Sequence, residues 1–238
     1  MTNPERNVVG IIGAMEVEVQ LLSQKMSEEG PVDSCMVAGM NFESGTLNSK
    51  PVIVVRSGIG MVNAALCAQI LIDRFSVCSI VNTGVAGSLD ASIDIGDIVV
   101  ATDSVNHVMD VQNLGYEPGQ NPDFNIVAFP ASDTMADAAL QAAQELNLTA
   151  RRGRIASGDR FVREDSDKER IVDLFGASCC EMEGAAIAQA CFLSKIPYLI
   201  LRAISDKADG SASVDYPVFE AKAASDCAHL TMQMLKSF

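Results

Sequence analysis

Short apolar runs of strand length alternate along this chain with stretches whose apolar residues recur every three or four positions. The runs lie at Val8–Gly13, Val52–Ser57, Ser79–Thr83, Asp97–Ala101, Gly153–Ser157 and Tyr198–Ile204. Between them, Met15, Val19, Leu22 and Met26 share one helical face, as do Met135, Ala139, Ala142 and Leu146 and, less regularly, Val62, Leu66, Ile70 and Phe75. Such stripes read as the core-facing sides of amphipathic helices. Two further helices are predicted over Ala185–Leu193 and from about Pro217 to Leu235. Strand and helix in alternation predict an α/β fold with a largely parallel sheet covered by helices. Asn106–Pro130, rich in Gly, Pro, Asn and Asp, reads as one long loop, and loops of that length in compact proteins tend to be functional. No repeat, low-complexity tract or linker interrupts the pattern, so residues 1–238 are expected to form a single domain.

Composition narrows the classes. Apolar residues make up 48% of the 238, yet no run approaches the roughly 20 that a membrane helix needs. Met1–Asn7 is polar with a single Arg and no apolar signal region follows it, so the cytoplasm is the expected compartment. The seven cysteines are odd in number, Cys179 and Cys180 are adjacent, and no C-x-x-C spacing occurs; they read mostly as buried thiols. His107 and His229 stand in unrelated contexts with no ligand at motif spacing, so no metal is expected. A net charge of −14 opposes nucleic-acid or polyphosphate binding, which depends on clustered Lys and Arg. A small neutral or zwitterionic ligand suits the chain better.

In open α/β sheets ligands bind at the carboxyl ends of strands, and four such junctions carry unusual residues. The first is Gly13-Ala14-Met15-Glu16-Val17-Glu18. Acids in a first helical turn favour the macrodipole by about 0.3–1 kcal/mol each, which accounts for Glu16 and Glu18 without any function. Ser57-Gly58-Ile59-Gly60-Met61-Val62-Asn63 and Asn82-Thr83-Gly84-Val85-Ala86-Gly87-Ser88 read as glycine-rich turns that let backbone approach a ligand. Neither is a dinucleotide or triphosphate fingerprint. The fourth region joins Glu181-Met182-Glu183-Gly184 to Arg202-Ala203-Ile204-Ser205-Asp206. Asp206 could cap a turn and Glu183 could begin a helix, but capping does not explain several acids collecting at one edge of one sheet. Carboxylates gathered in a cleft acquire perturbed pKa values, which is how an acid and a base can work near neutral pH.

These motifs, with Gly96-Asp-Ile-Val-Val, Gly115-Tyr-Glu-Pro-Gly-Gln120 and Ser157-Gly-Asp, occur in an order that resembles the 5′-methylthioadenosine/S-adenosylhomocysteine nucleosidases of the nucleoside phosphorylase superfamily across nearly the whole chain. The resemblance implies a three-layer α/β, nucleoside phosphorylase-like fold, with a central mixed, twisted and partly barrel-like β-sheet flanked by helices. It also implies a homodimer in which a partner loop around Leu114–Tyr116 helps close each site. Carried over by motif position, Glu18 binds and activates water, Asp206 protonates the purine at N7, and Arg202 and Ser205 support the water and the aspartate. Glu183 holds the ribose hydroxyls with Met182 against the sugar, Phe161 stacks on adenine, and the Val162 backbone reads its edge. Ala14, Met15, Ile59, Val85 and Glu181 complete the implied substrate site with Leu114 and Tyr116 of the partner. No cofactor is implied. The implied reaction is hydrolysis of the N-glycosidic bond of 5′-methylthioadenosine and S-adenosylhomocysteine, and it agrees with chemistry: adenine departs poorly as an anion and needs a general acid, while an oxocarbenium-like sugar needs an activated water.

The chain departs from the family pattern in places. Val85 stands where a small hydroxyl residue is usual, Leu114 replaces an aromatic, His107 is displaced from the usual histidine position, and Arg160 replaces a small residue. Three other readings remain. A phosphate-dependent purine nucleoside phosphorylase would need cationic or convergent N–H donors, and Arg56 is the residue that favours it. A nucleosidase acting on aminodeoxyfutalosine would carry overlapping motifs. A non-catalytic nucleoside-binding module would be expected to lack Glu18 or Asp206, and both are present.

Overall fold

A computed structural model describes residues 7–207 and 212–237; the side chains of 212–217 lie outside the description, as does the N-terminal stretch through residue 6. The strands are β1 (Val9–Gly13), β2 (Asp33–Val37), β3 (Met40–Leu47), β4 (Lys50–Arg56), β5 (Ser79–Ser88), β6 (Ile98–Asn106), β7 (Ala128–Pro130), β8 (Ala150–Ser157), β9 (Cys179–Glu181) and β10 (Tyr198–Asp206). The helices are α1 (Glu16–Glu29), α2 (Met61–Asp73), α3 (Asp133–Glu145), α4 (Asp165–Phe175), α5 (Gly184–Ser194) and α6 (Ala212–Met234). β5 pairs with β10, β10 with β6, β6 with β8, β8 with β9, and β9 with β5 again, so five strands close into a ring. From β5 the sheet runs outward through β1, β4, β3 and β2. Pairings are parallel at β1–β4, β1–β5, β5–β10 and β6–β8 and antiparallel at β2–β3, β3–β4, β6–β10 and β5–β9. The result is the mixed, partly barrel-like three-layer α/β arrangement.

Strand alternation divides the core between the two faces of this sheet. Val9, Ile11, Val52, Val54, Leu199 and Leu201 pack with α1, α3 and α6, whereas Ile12, Ile53, Val55, Ile80 and Ile200 pack with α2 and α5. Five cysteines, at 67, 179, 180, 191 and 227, are buried free thiols. Among the described residues no helix is long and apolar enough to cross a membrane.

The structure corrects several local expectations. The hairpins β2–β3 and β3–β4 were not foreseen. They turn through Ala38-Gly39 and Asn48-Ser49, whose four residues all have positive φ, the geometry of two-residue turns between twisted strands. Asn82–Ser88 is no glycine-rich turn; it lies within β5. Asn106–Pro130 is not all loop, since Asn106 ends β6 and Ala128–Pro130 forms β7 against it. The final helix begins at Ala212, before the expected Pro217, and α4 was not anticipated. On α2 two of the residues expected on the core-facing stripe, Val62 and Leu66, point outward. Val62 is 78% and Leu66 45% exposed, whereas the buried face is made by the small Ala64, Cys67 and Ala68, which allow close packing against α5, together with Leu71 and Ile72.

Phe42 on β3 is fully buried and stacks on Phe75 with ring centroids 4.9 Å apart. Phe42→Ala is expected to cost about 3–5 kcal/mol. This would be read as a lower urea midpoint at unchanged slope, and a cost near zero would mean that the outer hairpins carry no part of the core.

Candidate active site

At the carboxyl ends of β1, β5, β9 and β10 a cavity of about 690 Å³, including its open mouth, lies between the sheet and the loop after β8. That size suits a small organic ligand. Its lining includes Ala14, Met15, Glu18, Ile59, Val85, Phe161, Val162, Glu181, Met182, Glu183, Ser205 and Asp206, each singled out from the sequence. Ala86, Gly87 and Cys180 also line it and were missed. A turn reading of Asn82–Ser88 hid the first two; as a strand paired with β10, the segment presents its end to the cavity.

Glu18 sits in the first turn of α1 and is 3% exposed. Its Oε2 accepts from the N–H groups of Ala14 and Met15 at 2.7 and 3.0 Å, the local reach-back that often closes a helix N-terminus. Its Oε1 accepts from Val85 N–H of β5 at 3.0 Å, which no local capping rule requires. Glu16, two residues earlier, is exposed and faces Arg56 at 3.6 Å, so the macrodipole account fits Glu16 and is incomplete for Glu18. Arg56 is exposed and lies outside the cavity lining.

Behind the cavity Arg202 of β10 is fully buried. Its Nη2 bonds Glu181 and donates to Asn82 Oδ1 at 2.6 Å, with Glu183 Oε2 at 3.6 Å. Arg202 Nε and Nη1 have no hydrogen-bond partner among the described residues. Arg202 therefore supports the site from beneath and does not line it. A Cβ on Gly84 would collide with both Arg202 Nη1 and Glu18 Oε1, so only glycine leaves the two groups this close to β5. Glu181 bonds Ser157 and accepts from the N–H groups of Glu183 and Gly184, which fixes the start of α5.

Asp206 is held by an irregularity. β10 and β5 stay in register to Ile204 opposite Ala86, and the next pair is Asp206 opposite Gly87, so Ser205 is one extra residue. A bulge re-aims the side chains around it, and both Ser205 and Asp206 border the cavity. Ser205 Oγ donates to Asp206 Oδ1 at 2.9 Å. A Cβ on Gly87 would lie 2.8 Å from Asp206 Oδ2, so this glycine gives the acid its room. Leu114, 67% exposed, and Tyr116 do not line the cavity of their own chain. Arg160 lines the mouth and pairs with Asp167 of α4. His107 is buried outside the lining, and burial lowers its pKa.

Burial raises the pKa of Glu18 above the ordinary carboxylate range, against the pull of Arg202 and its three backbone donors. Burial, with Glu181 beside it, raises Glu183 to about 7, against Arg202 and the Gly60 N–H. Burial would lower Arg202, but Glu181, Glu18 and Glu183 together hold it raised. A Glu183 that binds its proton more tightly when folded destabilises the fold progressively as pH rises from 4.5, its unfolded value, to about 7. Glu183→Gln removes that cost. The variant is expected to be more stable than the parent by roughly 2–3 kcal/mol at pH 8, with the gain vanishing near pH 4. Melting curves across this range would check it; a gain independent of pH would refute the electrostatic origin.

Residues 8–236 match the Phosphorylase superfamily. A 5′-methylthioadenosine/S-adenosylhomocysteine nucleosidase of Staphylococcus carnosus is 38% identical over 97% of this chain and 100% of its own length. The crystal structure of a nucleosidase of the same name from Colwellia psychrerythraea 34H, in complex with adenine, superposes with a TM-score of 0.92 at 40% identity, covering 98% of this chain and 96% of the other. A futalosine hydrolase of Helicobacter pylori superposes with a TM-score of 0.93 at 31% identity, covering 99% and 100%. The chain therefore belongs to the phosphorylase superfamily and, within it, to the 5′-methylthioadenosine/S-adenosylhomocysteine nucleosidases, an N-glycosyl hydrolase family.

Proposed function

We propose that this protein hydrolyses the N-glycosidic bond of 5′-methylthioadenosine and S-adenosylhomocysteine, releasing adenine and the 5-thio-substituted ribose, by general-acid protonation of the base and carboxylate activation of water. The observation that carries the mechanism is the pairing in one cavity of two buried acids on different elements, Glu18 clamped by three backbone donors and Asp206 presented by a bulge. As the C1′–N9 bond lengthens its electrons pass into the purine, and Asp206, protonated when substrate is bound, delivers a proton to N7. The sugar gains oxocarbenium character, and a water that gives its proton to Glu18 attacks C1′. This division of labour between an acid and a base is the one inverting glycosidases use. Glu183 accepts from the ribose hydroxyls, Met182 lies against the sugar, Phe161 stacks on adenine beside the backbone of Val162, and Ser205 orients Asp206. Arg202 holds Glu18 and Glu183 in place through its charge.

The phosphorylase alternative loses support from the geometry. Arg56 lies outside the cavity, Arg160 is paired with Asp167, and Arg202 is surrounded by carboxylates, which leaves a poor site for a phosphate dianion. The likeness to a futalosine hydrolase favours a second substrate reading, aminodeoxyfutalosine, which shares the adenine and ribose ends.

We also infer a homodimer. Leu114 and Tyr116 do not line their own cavity, and exposed Ile59 at the cavity's edge, with exposed Val62 and Leu66 on the helix that follows, makes an apolar surface suited to a second copy whose loop closes the 5′ end.

Adenine release from 5′-methylthioadenosine should be unaffected by phosphate and should fall about 10²–10⁴-fold in kcat in Asp206→Asn and in Glu18→Gln. Because burial raises Glu18, kcat/KM should decline on the acid side at a higher pH than an ordinary carboxylate would set. Strict phosphate dependence would move the protein to the phosphorylases, and turnover of aminodeoxyfutalosine alone would favour the second substrate. Val62→Glu with Leu66→Glu should halve the mass seen by sedimentation and depress turnover; an unchanged mass would refute the dimer face.

A further inference from the structure

The residue that follows Gly158 in the purine-side loop, Asp159, is aimed neither at the cavity nor at solvent alone. Its Oδ1 accepts from Met61 N–H, at the start of α2, at 2.7 Å. The preceding amide, Gly60 N–H, donates to Glu183 Oε1 at 2.8 Å. Two successive peptide N–H groups of one short turn thus point at two different carboxylates, one from the loop after β8 and one from the start of α5. Gly60 adopts φ +102°, and a Cβ on it would lie 2.9 Å from Asp159 Oδ1, so the turn is shaped against this aspartate as closely as it is bonded to it. Asp159 and Gly60 do not line the cavity, whereas their neighbours Arg160, Phe161 and Ile59 do.

We propose that Asp159 is a positioning residue for the reaction: by holding Met61 N–H it sets the orientation of the Gly60 peptide, whose N–H fixes the carboxylate of Glu183, and so ties the loop that carries Phe161 to the carboxylate that meets the ribose hydroxyls. The proposal rests on the nucleosidase reading for the roles of Phe161 and Glu183. The physical reason for such a tie is that Glu183 is nearly buried and has few fixed partners of its own. Its Oε2 stands 3.6 Å from Arg202, beyond hydrogen-bond length, so the Gly60 N–H is the short contact that sets its rotamer. A carboxylate that must receive two hydroxyls at once loses most of its value when it can swing. An amide held from one side only, on a glycine-rich turn, would give it that freedom.

A double-mutant cycle reads the coupling through kcat/KM for 5′-methylthioadenosine in the full chain. Asp159→Ala is expected to lower kcat/KM about tenfold, mostly through KM, as loss of a charge-assisted contact does. Asp159→Asn, which keeps an acceptor oxygen at the same place, should retain most of the parent value. In a Glu183→Ala background, which leaves the Gly60 N–H no carboxylate to fix, Asp159→Ala should add less than about a twofold loss. A tenfold loss in both backgrounds, or an Asp159→Asn as impaired as Asp159→Ala, overturns the proposal and leaves Asp159 a plain helix cap. If Asp159→Ala does not fold, Asp159→Glu, which displaces the oxygens by one methylene, is put through the same cycle with the same two outcomes. A readout free of turnover separates this proposal from the functional one. By carboxylate NMR, Glu183 should titrate higher in Asp159→Ala than in Asp159→Asn, since both remove the charge and only the former releases the Met61 N–H and with it the orientation of the Gly60 N–H that bonds Glu183; equal values overturn the coupling. A parent protein that releases no adenine overturns the nucleosidase reading, and the NMR comparison still decides the tie between Asp159 and Glu183.

Discussion

A guanidinium with no exposed surface can persist only among groups that repay its lost hydration, and Arg202 is such a group. Its partners come from across the fold: Asn82 from β5, Glu181 from β9, Glu183 from the start of α5 and, electrostatically, Glu18 from α1. Removing the cation would leave three buried acids facing one another, and removing Glu181 would strip Arg202 of its closest partner. The ring of strands, the entry of α5 and the first turn of α1 are all arranged so that these charges meet. The same ensemble explains why Gly84 is glycine, since any side chain would stand between Arg202 and Glu18.

The carboxylates of the cavity differ in how they are held. Glu18 is loaded with backbone donors and still has its pKa raised, because burial outweighs them; such a carboxylate is fixed in space and holds a proton more readily than a free one, as the proposed base requires. Glu183 is raised to about 7 and carries a stability cost when ionised. A site that destabilises its own fold is a common feature of working active sites. Asp206 is placed by an extra residue in β10, so that a strand buried along its length delivers two consecutive side chains to one cavity.

The turn at Gly58–Met61 joins these parts at the edge. It contacts Glu183 through Gly60 and Asp159 through Met61, and it leads into the helix whose apolar face is open. The loop that carries Phe161, the Glu183 carboxylate and the exposed face of α2 therefore share one short segment of backbone, and a small displacement there would be felt at all three.

Much of this was legible in the residue order. Apolar runs alternating with helical stripes dictate an α/β sheet, and acids placed just after parallel strands gather at one edge, which places Glu18 and Asp206 together, while Glu181 and Glu183 read as acids opening a helix. Motif order carried the family for the same reason. The ring closure of β5, β10, β6, β8 and β9, the bulge at Ser205, the strand character of Asn82–Ser88 and the outward face of Val62 and Leu66 could not be read that way. Each is settled by which segments pair and how closely helices approach, and a local pattern of apolar residues is the same whether its face meets a helix of this chain or is left open. The residue types and their spacing thus specified the elements and the chemistry to expect at their ends, whereas the register between distant strands and the packing of small residues on α2 chose which side chains share the cavity, because pairing energy is non-local.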